Sequence, residues 1–294
     1  MMCRFILRFG CVIWTLCCTA ARATVERTGA EPQPEALYAA AEEHVAAKRY
    51  NEAAVELERA VVADPSSWQA WALLSLCRIQ ARRFDDALDA CDRALALKPG
   101  EPGALLRHAI CLKELHRYDE AIAAYRGLLD TGPGRHVVIE CHWGLAECAQ
   151  ANGDADAVKA HVREVTRRDG RRGRLLDATL RLRRGDVQGA RRRFERLFRA
   201  DDEHPLIVYG LAACLLRLNR EHEFALRLLE QAAGAPELDP ADVLLAQVQA
   251  LVRLARFDEA RAVLGKLDAE TALTAEQQKL YDDTNATITN VLGK

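Results

Sequence analysis

A motif of apolar and polar residues recurs along the chain with a long, fixed period. An aromatic residue, two polar or acidic residues and an alanine recur in the segments KRYNEA, RRFDDA, HRYDEA and ARFDEA. Tyr50, Phe84 and Tyr118 are evenly spaced, and Phe257 follows after close to four more steps of the same length. Between these motifs Ala and Leu dominate without strand-like alternation. The pattern predicts a stack of amphipathic helix pairs.

Further columns repeat at the same interval. Pro65, Pro99 and Pro133 share the spacing of the aromatic residues and mark helix ends, because proline cannot continue a helix. If each proline is position 32, the alanine of the motif falls at position 20, where two helices of a pair cross closely. The residues that follow the aromatic are predicted to be N-caps of the second helix of each pair. These predicted N-caps are Asn51, Asp85, Asp119 and Asp258.

With these columns the chain resembles the tetratricopeptide repeat family. That family's pattern has a small residue at position 8, Ala at 20, an aromatic or large apolar residue at 24, a small residue at 27 and Pro at 32. The match is strongest for the units that begin at Pro34, Trp68 and Pro102. Four more units fit less closely, with starts near Ile139, Arg171, Leu206 and Ala241 and position-8 residues Ala146, Ala178 and Ala213 in units four to six.

The resemblance implies an all-α, right-handed superhelical solenoid of about seven helix pairs with a C-terminal capping helix. We expect repeats 1–3 over residues 34–135, degenerate repeats 4–7 over 136–270 and the capping helix over 271–294. Val158 departs from the expected alanine, and TGPGRHVV carries a short insertion. Both departures predict a distorted fourth repeat.

The N-terminal residues differ from the rest of the chain. Arg4 and Arg8 precede an uncharged run from Phe9 to Ala21, which is too short to cross a bilayer comfortably as a helix. Ala21 and Ala23 then place small residues at the positions typical of a cleavage site. We therefore expect a secretory signal peptide over residues 1–23, a linker over 24–33, and a periplasmic or secreted protein. A cytoplasmic protein is the alternative if this segment is not a signal.

Six of the ten cysteines lie beyond that segment, at Cys77, Cys91, Cys111, Cys141, Cys148 and Cys214. A chain of this length has a sufficient core without disulfides, so small buried side chains are the favoured interpretation. If oxidation occurs, we expect Cys91 to pair with Cys77 or Cys111.

The sequence has no motif that indicates catalysis. None of its three serines lies in a nucleophile elbow, and there is no phosphate-binding loop or paired-histidine zinc motif. The segment HVVIECHWGLAEC holds His136, Cys141, His142 and Cys148, but their spacing fits a shared tetrahedral zinc ion poorly. We expect no enzyme activity, no cofactor, no metal and no small-molecule substrate.

Charge is distributed unevenly along the chain. Residues 159–199 hold 15 Lys and Arg against five Asp and Glu, whereas the whole chain has a formal net charge of −2. Five arginines surround the apolar stripe of one helix in this segment and are predicted to form a basic outer patch: Arg191, Arg192, Arg193, Arg196 and Arg199. Such a patch is either a solvated face or a docking site for an acidic protein, an anionic membrane or nucleic acid. Nucleic acid fits least, because few aromatic residues are interleaved.

The family resemblance implies a partner-binding groove lined by the first helix of each repeat. The positions that face such a groove are Tyr38, Glu42, Gln69, Leu76, Leu106, Ile110, Lys113, Trp143 and Glu147. This set is mostly apolar and aromatic, which favours an extended apolar or amphipathic peptide. Tyr38 and Glu42 stand where carboxylate-binding members of the family have Lys and Asn, so a clamp for a C-terminal carboxylate is disfavoured. The sequence thus predicts a scaffold or adaptor that binds protein, without identifying the partner.

Overall fold

The computed structural model describes residues 33–200, 204–235, 238–267 and 273–293. Within these ranges the chain forms fifteen α-helices and no strand. The helices are α1 (Pro34–Ala46), α2 (Tyr50–Ala63), α3 (Trp68–Gln80), α4 (Phe84–Leu97), α5 (Pro102–Glu114), α6 (Tyr118–Asp130), α7 (Arg135–Ala151), α8 (Ala155–Arg168), α9 (Gly170–Arg183), α10 (Val187–Phe198), α11 (Pro205–Arg217), α12 (His222–Ala232), α13 (Pro240–Arg253), α14 (Phe257–Leu264) and α15 (Ala275–Leu292).

Fourteen of these helices form seven consecutive pairs, and each helix packs on the next. From the second pair to the seventh, the first helices also pack against one another in succession, from α3 to α13. The described second helices make no comparable contacts among themselves. The odd-numbered helices therefore line the inner, concave side of the stack, and α15 covers α13 and α14 at its end. The predicted all-α repeat solenoid with a C-terminal helix is confirmed.

The turn inside each pair contains a residue with left-handed backbone conformation just after the first helix. Its φ lies between 53° and 85° in all seven turns, at Lys48, Arg82, His116, Gly153, Gly185, Asn219 and Ala255. This column gives the register of the repeats directly. The sixth turn has a second such residue, Glu221, with φ of 50°. Counting back from Asn219 places Ala212, which is fully buried, at position 8 in place of the predicted Ala213.

The predicted N-caps Asn51, Asp85, Asp119 and Asp258 are wrong. Helices α2, α4, α6 and α14 begin at the aromatic residue, and an arginine precedes each of them without capping through its side chain. The left-handed turn residue brings the chain into the helix two residues earlier than the polar pattern indicates. The acids of the motif lie in the first turn, where the helix dipole favours negative charge. In three repeats the preceding arginine pairs with the acid three residues later, as Arg83 does with Asp86 at 2.6 Å.

Small residues bring the helices of each pair together. Position 20 is fully buried in repeats one, two, three, five, six and seven, at Ala53, Ala87, Ala121, Ala190, Ala225 and Ala260. Val158 takes this place in repeat four and is only partly buried. Repeat four nevertheless keeps its helix pair, because Ile139, Ala146 and Val165 still form a core with α9.

All six described cysteines are buried free thiols. Burial raises the pKa of Cys77, Cys141 and Cys148 to about 11 and that of Cys214 to about 12. Cys91 and Cys111 form a hydrogen bond between their side chains, which lowers the pKa of Cys91 and raises that of Cys111. Of the two pairings considered for Cys91, the one with Cys111 thus joins neighbouring side chains, and both thiols are free.

Candidate functional site: a groove along the first helices

The nine predicted groove residues are distributed over the four inner helices α1, α3, α5 and α7. Glu42 and Gln69 are exposed, and the other seven are partly buried. Tyr38 is partly covered and hydrogen-bonds to Glu42; burial, together with this carboxylate, raises its pKa. The positions derived from the repeat thus lie on helices of the inner side of the stack.

Four of the nine residues come together in one cavity. Ile110, Lys113, Trp143 and Glu147 line a space of about 260 Å³ between α5 and α7, which Arg183 of α9 also borders. Tyr38, Glu42, Gln69, Leu76 and Leu106 do not line this cavity. The structure therefore brings two of the predicted apolar contacts, Ile110 and Trp143, together at the middle of the solenoid and leaves Tyr38, Leu76 and Leu106 outside this cavity.

A buried ion-pair network forms one wall of this cavity. Lys113 Nζ lies 2.6 Å from Glu147 Oε2 and 2.8 Å from Glu114, and Arg183 Nη1 lies 2.6 Å from Glu147 Oε1. The Glu147 side chain is only 8% exposed. Because its oxygens meet a cation on each side, the network ties three successive inner helices together. The sequence placed Lys113 and Glu147 in the groove but did not identify Arg183, which it counted with the basic segment.

The charges of this network stabilise one another against burial. Burial alone lowers the pKa of Lys113, but attraction and hydrogen bonds from Glu147 and Glu114 outweigh it and raise the pKa. Burial likewise raises the pKa of Glu147, and Lys113 and Arg183 reverse that effect, so its pKa is lowered. Both groups therefore remain ionised at neutral pH.

A larger cavity of about 990 Å³ lies further along the groove, and the sequence did not indicate it. Its lining comes from α9, α11, α13 and α15 on one side and from Arg82 and Glu114 on the other. Arg82 Nη1 is 3.4 Å from Asp239 Oδ2, so an ion pair connects the turn of the second repeat with the start of the seventh. The solenoid therefore curves far enough for its two halves to meet across the groove.

Two carboxylates stand at this meeting point. Gln277 Nε2 donates to Asp239 Oδ2 at 2.8 Å and to Asp242 Oδ1 at 2.7 Å. Burial raises the pKa of Asp242, although the hydrogen bond from Gln277 opposes this. Gln277 itself is held by the capping box that it forms with Thr274 at the start of α15. The C-terminal helix thus orients both acids toward the cavity.

The predicted basic patch is only partly an outer face. Arg191 pairs with Glu195 at 2.6 Å, and Arg193 reaches back to Asp177 on the inner helix α9. Both arginines are partly buried, whereas Arg192, Arg196 and Arg199 are exposed. The prediction that all five arginines form an outer face is therefore wrong, because Arg193 pairs with an acid of the inner helix and Arg191 packs along α10 against Glu195. The remaining exposed cations form a smaller patch.

The four residues considered as zinc ligands differ in burial. Cys141 and Cys148 are buried, whereas the His136 side chain is 76% exposed. His142 instead faces His161 of α8, with 3.1 Å between their Nδ1 atoms. Burial lowers the pKa of both histidines. Among the described residues, no three His, Cys, Asp or Glu side chains are grouped to hold a metal.

None of the described helices combines the length and the apolar composition that a bilayer crossing requires.

Comparison with known proteins identifies the family. Two tetratricopeptide repeat models match the chain, one over residues 38–102 and 175–243 and the other over residues 78–138. Together these matches cover more than half of the sequence, so the chain belongs to the tetratricopeptide repeat family. Proteins of this family are generally non-catalytic protein-interaction repeats, which supports an interaction scaffold.

Solved structures agree with this fold. A tetratricopeptide repeat protein from Parabacteroides merdae ATCC 43184 is similar over 86% of this chain and 98% of its own, with a TM-score of 0.59 and 17% identity. Yeast Tom70 is similar over 92% of this chain and 57% of its own, with a TM-score of 0.62 and 17% identity. At these identities the likeness concerns the fold alone. A search of curated protein sequences gives no match.

Proposed function

We propose that this protein is a non-enzymatic scaffold that binds an extended or helical segment of a partner protein in the groove of its inner helices. The observation that carries the proposal is the cavity between α5 and α7. Its partly buried Ile110 and Trp143 face open space, while the neighbouring charges Lys113 and Glu147 already satisfy each other. Such a wall offers apolar contact area without a free charge, which suits an apolar or amphipathic ligand.

Removal of the apolar contacts is expected to weaken partner binding at least tenfold. The test is the double variant Trp143→Ala, Leu106→Ala, in which Trp143 lines the cavity and Leu106 is the predicted groove residue one turn before Ile110 on α5. Large apolar residues at the centre of an interface contribute most of the affinity. The partner is first captured by crosslinking from the native cell, and its affinity is then measured by fluorescence anisotropy. Because Trp143 also packs against the cores on either side of it, the melting temperature of the variant is measured in parallel.

The matched control removes apolar surface from the opposite side of the solenoid. Val55 and Val62 are 56% and 80% exposed on the outer helix α2, so Val55→Ala, Val62→Ala deletes apolar area outside the groove. This control is expected to bind the partner as the unaltered protein does. Unchanged binding by the groove variant, with loss of binding by Arg192→Ala, Arg196→Ala on α10, would place the working surface on the basic outer face instead.

We also propose that the protein is exported and acts in a bacterial cell envelope. The support is the N-terminal sequence alone: Arg4 and Arg8, a short apolar run and the small residues Ala21 and Ala23, all of which lie outside the described residues. Cleavage after Ala23 is the expected result, and the intact mass of the protein from its native cell measures it. A chain recovered from the cytosol with its N-terminus near Met1 would favour the alternative, an intracellular adaptor.

A further inference from the structure

We propose that the larger cavity of the groove binds a lysine or arginine side chain of the partner segment, flanked by apolar residues, and that Arg82 fills the place of that cation in the free protein. The inference rests on the proposed function, because it assigns a chemistry to one part of the same groove. It concerns the stretch between α9 and α15, which adjoins the cavity of Ile110 and Trp143 and shares Thr179, Arg183 and Leu206 with it.

The cavity has the size and lining of a binding site. Its volume of about 990 Å³ lies at the upper end of the range for ligand pockets in proteins. Apolar side chains from four inner elements line much of it: Leu182, Leu206, Tyr209, Ala213, Leu245 and Leu280. A segment with apolar side chains would bury these surfaces. Charged side chains of both signs complete the lining, and among them Asp239 and Asp242 are the two acids that one amide group holds side by side.

The two acids lie at the N-terminus of α13, where Asp239 is the N-cap and accepts a hydrogen bond from the backbone of Ala241, and a neutral group orients their remaining oxygens. Both hydrogens of the Gln277 amide are donated, one to Asp239 and one to Asp242, and its Oε1 accepts from the backbone of Thr274. A neutral amide fixes the positions of the carboxylates without cancelling either charge. Asp239 is only 9% exposed, so its charge is poorly screened by water. Both the charge and the fixed geometry therefore favour a cation.

The protein itself provides a cation for this site from the far end of the groove. Arg82, on the turn between α3 and α4, forms the single described ion pair to Asp239, and no described ion pair is made by Asp242. Two carboxylates thus face one guanidinium. The contact is made by one nitrogen at 3.4 Å, and the Arg82 side chain stays 47% exposed. Because Arg82 is half exposed and makes a single contact, an incoming basic side chain that makes more hydrogen bonds and has apolar neighbours can replace it.

Arg82 and Asp239 form the one described ion pair that spans more than two repeats. Every other described ion pair joins residues of the same or adjacent repeats, as Lys113 and Glu147 do. Replacement of Arg82 by a ligand cation would therefore release the contact between the two halves of the groove. Binding and opening of the groove are coupled through this one side chain.

The proposal is tested by selecting ligands from a random library of 12-residue peptides on the full-length protein. The expected result is enrichment of peptides with Arg or Lys between apolar residues. The best peptide is then synthesised with arginine or with citrulline, which has the same shape and no charge. We expect fluorescence anisotropy to show at least fivefold tighter binding of the arginine peptide.

Three variants then locate the effect. Asp242→Asn, which keeps the shape and the hydrogen bond to Gln277, should abolish the difference between arginine and citrulline. Arg82→Gln removes the internal competitor and should strengthen binding of the arginine peptide severalfold. Arg83→Gln is the matched control: it removes the neighbouring arginine, which pairs locally with Asp86, and should change nothing.

The outcomes separate this inference from the proposed function. Selected peptides that lose affinity in the Trp143→Ala, Leu106→Ala variant but show no preference for basic residues would overturn the inference alone. If no selected peptide depends on Trp143 and Leu106 or on Asp242, the groove as a whole is not the binding surface, and both proposals are wrong. Weaker binding in Arg82→Gln would show that Arg82 contacts the ligand directly, which also contradicts its role as a competitor.

Discussion

Phe194→Ala is expected to lower the free energy of unfolding by about 3–5 kcal/mol, as buried Phe to Ala changes commonly do. Phe194 is 1% exposed and is among the largest fully buried side chains. Its ring occupies space that exists because residue 210 is glycine: a Cβ atom at Gly210 would lie 2.3 Å from the ring carbon Cζ. The ring therefore connects the second helix of repeat five with the first helix of repeat six.

The close contact between the Phe194 ring and Gly210 predicts that the losses of stability caused by substitutions at the two positions are not additive. Gly210→Ala alone should cost about 1–3 kcal/mol, because the added methyl group overpacks the contact. With Phe194→Leu in the same protein, the methyl group gains room, so the double variant should lose less than the sum of the two single losses. Additive losses would show that the ring and the glycine do not constrain each other.

Urea denaturation followed by far-UV circular dichroism measures these changes. In a solenoid, stability is close to a sum over repeats and their interfaces, so the slope of each transition is compared as well as the midpoint. Phe198→Ala is the control, because Phe198 is on the same helix but only partly buried. It should cost clearly less than Phe194→Ala.

This contact shows how far the sequence could predict the core. Unit five begins near Arg171, which places Phe194 at position 24, where the family has a large apolar residue, and the structure buries it there. Gly210 carried no signal by itself, although Tyr125 meets Gly144 in the same way two repeats earlier. Gly144 follows Tyr125 by more residues than Gly210 follows Phe194. The loops between repeats differ in length, so a fixed period does not reveal the pair.

The sequence was sufficient to predict the groove in outline. Helical period fixes which side of an inner helix is concave, so Ile110, Lys113, Trp143 and Glu147 could be assigned to it from sequence. The contact of Arg82 with Asp239 could not, because it depends on the accumulated curvature of five repeats. Arg183 was counted with the basic segment for the same reason: composition records a charge, but only the packing of α9 on α7 shows its partner.

Glu147→Met is expected to lower the free energy of unfolding by about 3 kcal/mol or more, at the scale seen when one partner of a buried ion pair is removed. Methionine has a similar volume, so packing changes little. What remains is the ammonium group of Lys113, only 16% exposed, with Glu114 as its one acidic neighbour. Arg183 loses its partner too, but at 56% exposure it can turn to water.

The double variant Lys113→Met, Glu147→Met separates charge from packing. With both charges removed, no buried ion is left alone, so this protein should be more stable than either single variant. Urea denaturation of the four proteins gives the comparison. If the double variant is the least stable of the four, the two side chains act through their shape and not through their pairing.

The response to acid gives an independent measure of the same charge. The pKa of Glu147 is lowered in the folded protein from an ordinary value of 4.5, so the unfolded chain binds its proton more readily. The stability that Glu147 contributes is therefore present above pH 4.5 and is lost as the pH falls through the lower folded pKa. In the double variant this acid-dependent part of the loss should be absent.

Partner binding shows whether the charges also hold the wall of the cavity in place. If they do, the double variant should keep its stability at neutral pH and still bind the partner less tightly. Trp143 and Ile110 would then flank a wall of flexible methionines in place of a fixed network.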